Sequence, residues 1–83
     1  MSRTVVVEVT AEDIAKGVAR DACSCPVARA LMRATGYDHV SVAAIGMCTP
    51  DHDLDTPEEA QRFIASFDDG IPVQPFTFTV ELS

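Results

Sequence analysis

Residues 56–82 read TPEEAQRFIASFDDGIPVQPFTFTVEL, and the apolar period changes within them. Ala60, Phe63, Ile64 and Phe67 recur at i, i+3, i+4 and i+7, one stripe of an α-helix. From Phe76 the period drops to two. Phe76, Phe78, Val80 and Leu82 alternate with Thr77, Thr79 and Glu81, as in a strand with one buried face. Strands of that kind belong to antiparallel sheets, because parallel strands covered on both faces read as continuous apolar runs. The helix carries its own boundary signals. Thr56 and Glu59 have the spacing of a capping box, Pro57 suits the first helical position, and Gly70 suits the end. In IPVQP each proline biases the residue before it away from helix, so this link is extended.

Working outward, residues 4–9 (TVVVEV) are β-branched and put Val5, Val7 and Val9 on one face of a strand. Thr10 and Asp13 then cap a short helix, with Ile14 and Val18 one turn apart and Gly17 ending it in the left-handed conformation. Residues 18–24 form a loop. Pro26 at a first helical position, with Cys25 as the cap, begins a second helix whose core stripe is Val27, Ala30, Leu31 and Ala34. Gly36 closes it. In YDHVSVAAI, residues 37–45, a strand turns Val40, Val42 and Ala44 inward, and GMCTPDHDLD, residues 46–55, leaves room for a short third strand. The order is β-α-α-β-(β)-α-β. It predicts a single α+β domain over residues 1–83, a mostly antiparallel sheet of three or four strands with the helices packed on its apolar face. Thr4, Val6, Glu8, Ser41, Ala43, Thr77, Thr79 and Glu81 fall on the opposite, solvated face.

Composition narrows the functional classes. A chain of 83 residues has too small a core to enclose a sizeable substrate cavity as well. At 47% apolar and 23% charged it is a folded chain rather than a disordered one. No apolar run approaches the roughly 20 residues that span a bilayer. MSRTVVVEVT does not read as a secretory signal, and three cysteines, an odd number, point to reduced thiols in a cytoplasm. The net charge is −7, and it is uneven: residues 1–50 balance, whereas residues 51–69 hold seven acids against Arg62. Nucleic-acid binding needs the opposite sign. No nucleic-acid or membrane partner is expected.

Cys23, Cys25, Cys48 and a histidine, His39 or His52, are the one set from which zinc ligands might be drawn, but C-x-C departs from the usual paired spacings. DHDLDT from Asp51 opens like a calcium loop and then fails, with Thr56 where glycine is needed and Arg62 where glutamate is needed. Neither cofactor is expected. A dithiol redox pair wants C-x-x-C at a helix start, which this is not. The reading that prevails is a helix cap and small buried apolar side chains, since free cysteine packs as a small hydrophobe. One qualification is that Cys25 sits where a helix dipole favours thiolate, with Arg29 one turn on, which would make its thiol more reactive than an ordinary one. No histidine is close in sequence to act as its base. Arg29 and Arg33, one turn apart on the second helix with Arg20 just before it, read first as a solvated face or as partners of the acidic segment, and the functional alternative is a small anion- or carboxylate-binding patch.

The segments VTAEDIAKGV (9–18), CPVARAL (25–31) and FIASFDDGIPVQPFTF (63–78) resemble a group of small uncharacterised proteins encoded by actinobacteria and their bacteriophages. That group carries a T-x-E-x-I helix, a C-x-x-C-P-[VA]-A helix start and a closing F-[IV]-x-x-F-D-x-G-x-P-V-x-P-F-x-F segment. The group's first cysteine falls on Ala22 here, with Cys23 beside it. The resemblance implies a phage or actinobacterial origin and brings no activity with it. The expectation is a non-enzymatic accessory protein that binds a host or phage protein in the bacterial cytoplasm. The alternative is a thiol-dependent or zinc protein centred on Cys25. Binding is expected at Arg29, Arg33 and Cys25 and at an open sheet edge, through which the chain could also pair with itself.

Overall fold

A computed structural model describes residues 3–82. Its elements are β1 (Arg3–Val9), α1 (Ala11–Lys16), α2 (Pro26–Thr35), β2 (Ser41–Ala43), β3 (Gly46–Cys48), β4 (Asp53–Leu54), α3 (Glu58–Asp68) and β5 (Phe76–Leu82). The fold is α+β, with every strand pairing antiparallel. Two details of the expected architecture change, and the first is that the described residues form five strands where three or four were expected. The second is that the strands divide into a two-stranded sheet, β1–β5, and a three-stranded sheet, β2–β3–β4, instead of forming one sheet.

The reason lies in how much each strand can bury. β1 and β5 pair over seven positions, from Arg3↔Leu82 to Val9↔Phe76. Their inner face carries Val5, Val7, Val9, Phe78, Val80 and Leu82, all buried, and Thr4, Val6, Glu8, Thr77, Thr79 and Glu81 stay outside. The short strands contribute one row only, Val42 opposite Met47 and Met47 opposite Leu54. That row closes one end of the core and has no second face with which to lengthen the ribbon. The outer edge of β2 is also engaged, because the Val42 N–H donates to the Ala22 carbonyl at 2.8 Å.

α2 lies against β1 and supplies Val27, Ala30 and Leu31 to the core. Its start is as expected, with Pro26 in the first turn and the Cys25 Sγ accepting from the Ala28 N–H at 3.4 Å. α3 adds Ala60, Phe63 and Ile64, and Phe63 meets Phe76 with ring centroids 4.8 Å apart. Phe67, expected in the core, is half-buried at its margin, and Ala44, expected inward, is exposed in the β2–β3 turn.

Two boundary expectations are corrected. Gly17 does not end α1 in the left-handed conformation; its φ and ψ are −69° and 154°. A Cβ there would come within 2.6 Å of Pro26 Cδ and 2.7 Å of the Asp13 carbonyl oxygen, so glycine is needed for the close approach of α1 to the start of α2. At α3 the cap residue is Pro57, and no side chain caps it. Thr56 is buried, and its hydroxyl donates to the Ala43 carbonyl at 2.7 Å, so the box with Glu59 does not form. Gly70 behaves as expected. Its φ is 77°, and the Gly70 and Ile71 N–H groups donate back to the carbonyls of Phe67 and Ser66, the Schellman pattern.

Candidate functional site

Arg29 and Arg33 do meet a carboxylate, but it is the protein's own. Thr10 and Asp13 form the expected capping box, with the Asp13 N–H donating to Thr10 Oγ1 at 3.2 Å and the Thr10 N–H donating to Asp13 Oδ2 at 3.0 Å. The box fixes the Asp13 carboxylate under α2. Arg33 grips it with two donors, Nη1 to Oδ1 at 2.9 Å and Nη2 to Oδ2 at 2.7 Å, and Arg29 Nε lies 3.5 Å from Oδ1. Such a two-pronged arginine–carboxylate pair is the strong form of an ion pair. Asp13 is fully buried, and the Arg33 hydrogen bonds outweigh its burial and hold its pKa at about 2. Arg33 Nη2 also donates to the Glu8 carbonyl at 2.7 Å, which ties α2 to β1. The arginine patch is therefore a clamp between α1, α2 and β1.

Cys25 is the buried helix cap that the sequence favours, and only its expected extra reactivity is overturned. The helix start does offer its sulfur a hydrogen bond, but the side chain is only 5% exposed, and desolvation pushes its thiol above the ordinary pKa. Burial wins over the dipole here. Cys23 and Cys48 are exposed; Cys48 donates to Asp53 Oδ1 at 3.3 Å, and that carboxylate raises its pKa as well. Among the described residues no three His, Cys, Asp or Glu side chains converge closely enough to hold a metal ion.

The surface that remains open is elsewhere. A groove of about 360 Å³ runs between the 18–24 loop, β2 and α3. Ala22, Cys25, Val42, Ala43, Ala44, Ile64 and Ala65 line it, with Arg20, Asp21 and Asp68 as its charged residues. Alanine at four of these positions leaves the space. The loop is held by Asp21, whose Oδ1 accepts from the Cys23 and Ser24 N–H groups, and by Asp68, whose Oδ1 accepts from the Arg20 N–H at 2.8 Å. Arg20 is the one non-glycine among the described residues with a positive φ, 62°. Beside the groove the two-residue turn Ala44–Ile45 leaves the Ile45 side chain 93% exposed. Of the three expected binding residues, only Cys25 touches this groove, as part of its floor. Its other members were not found from the sequence, because isolated alanines carry no pattern. The one available signal was an isoleucine in a turn.

No helix among the described residues is long and apolar enough to cross a membrane. No family model, curated protein or solved structure matches this chain.

Proposed function

We propose that this chain works by binding a protein partner through the groove between the 18–24 loop, β2 and α3, and that it carries out no catalysis. The carrying observation is the apolar, alanine-floored groove with Ile45 standing exposed at its side. Small clefts lined mainly by apolar side chains suit an apolar side chain from another chain better than a polar substrate. The bacterial cytoplasm is the setting we propose, as host of an accessory protein of phage or actinobacterial origin. The three free thiols and the resemblance in residues 9–18, 25–31 and 63–78 support it. The burial of Cys25 counts against the thiol-centred alternative.

Photo-crosslinking in bacterial cells tests the groove. A photoreactive phenylalanine derivative in place of Ile45 should give a protein adduct, and the same group in place of Thr79, on the outer face of β5, should not. Equal adducts at both positions, or none at position 45, would exclude the groove as the binding surface.

A further inference from the structure

We infer that the groove takes a second copy of this chain, each copy seating its Ile45 in the other's groove about a two-fold axis. The inference rests on the reading of the groove as a binding surface and adds the identity of the occupant. Among the described residues Ile45 is the most exposed of the large hydrophobic side chains, and its chain neighbours Ala43 and Ala44 line the groove. Knob and socket therefore lie side by side on one surface. A two-fold interface requires that arrangement, because the same patch must be complementary to itself. The groove, at about 360 Å³, is larger than one aliphatic side chain, and Ala22 and Ala65 present nothing that an entering isoleucine must displace.

Charge is self-complementary in the same way. The groove carries both signs, with Arg20 against Asp21 and Asp68. Among the described residues none of the three forms an ion pair within the chain, and the two carboxylates accept only from backbone N–H groups. About a two-fold axis the Arg20 of one copy faces carboxylates of the other. A sheet-edge dimer through β1 is less favoured, because Arg33 already occupies the Glu8 carbonyl. Two chains of charge −7 repel at long range, so the pair forms best near physiological salt, where the screening length is about 8 Å.

Sedimentation equilibrium near physiological salt tests the inference. The wild-type chain should associate to a dimer in the micromolar range, and Ile45→Lys and Ala65→Arg should each weaken association at least tenfold with the melting temperature kept. An equimolar mixture of the two variants should pair better than either alone, since one intact Ile45 then meets one intact groove. A wild-type chain that stays monomeric, or an Ile45→Lys or Ala65→Arg variant that dimerises like the parent, would overturn it. Monomeric protein together with an adduct from position 45 to some different protein would overturn the second copy and leave the groove standing. Monomeric protein with no adduct would remove both.

Discussion

β1 and β5 match each other over seven residues each and bury every side chain of their inner face but Arg3 and Phe76 at its two ends, whereas β2, β3 and β4 have three, three and two residues and bury little more than one row. The difference extends to charge. On the ribbon side, the buried Asp13 is bound by Arg33 and flanked by Arg29, and α1, α2 and β1 are tied through it. On the hairpin side, Arg20, Asp21 and Asp68 border a groove and pair with no opposite charge among the described residues. A chain this short has few charged residues near its core. Those that bind each other tie elements of the fold together, and the others lie at the groove that we propose as the binding surface.

Removing Phe63 should have the largest effect, since its ring joins α3 to β5 through Phe76. Phe63→Ala is expected to cost about 3 to 5 kcal/mol by chemical denaturation, a large share of the stability of so small a domain. The half-buried Phe67 should cost less, and equal losses at 63 and 67 would show that α3 is seated differently. The clamp comes next. With the Asp13 pKa lowered from 3.8 to about 2, its ionisation contributes about 2 kcal/mol above pH 4, and that contribution is lost as the pH falls toward 2. Asp13→Asn should therefore be less stable than the parent by about that amount at pH 7, with the gap narrowing below pH 4. A gap that stays constant through this range would mean that the carboxylate's charge is not what the clamp uses.

Cys25→Ser keeps a capping atom and exchanges a buried thiol for a hydroxyl, so the expected loss is about 1 kcal/mol. Thiol labelling ranks the three cysteines without mutation. Cys23 should react first, Cys48 more slowly because Asp53 holds its proton, and Cys25 only on unfolding. Early labelling of Cys25 would place it outside the core. The smallest effect belongs to Ile45→Lys, which should leave stability within about 0.5 kcal/mol of the parent while weakening self-association.

What was legible in the sequence follows the same division. The ribbon and its helices announce themselves through long periods, so the faces of β1 and β5, the cap of α1 and the start of α2 could be read directly. The middle of the chain could not. Three-residue strands have no period to detect, and nothing local shows that β2 sets its edge against Ala22 or that Thr56 turns inward to Ala43. The capping box at Thr56 and Glu59 fits the local rule and loses to this tertiary hydrogen bond. The arginine pair was visible as a pair, but its partner, Asp13, stands 20 residues from Arg33 and could have been found only by placing α1 under α2. Gly17 has the local signature of a helix stop, whereas the spatial demand of Pro26 is what requires it.

The division between a clamped side and an open side stands or falls with Asp13. Its side-chain carboxyl carbon, followed by NMR through acid titration of the folded protein, reports directly whether Arg33 is engaged. A midpoint at about 2 is predicted, set by the paired Arg33 hydrogen bonds. A midpoint near 3.8, the ordinary value, would mean that Asp13 is free of Arg33. The arginine face of α2 would then be open to an outside anion, and the clamp between α1, α2 and β1 would not exist.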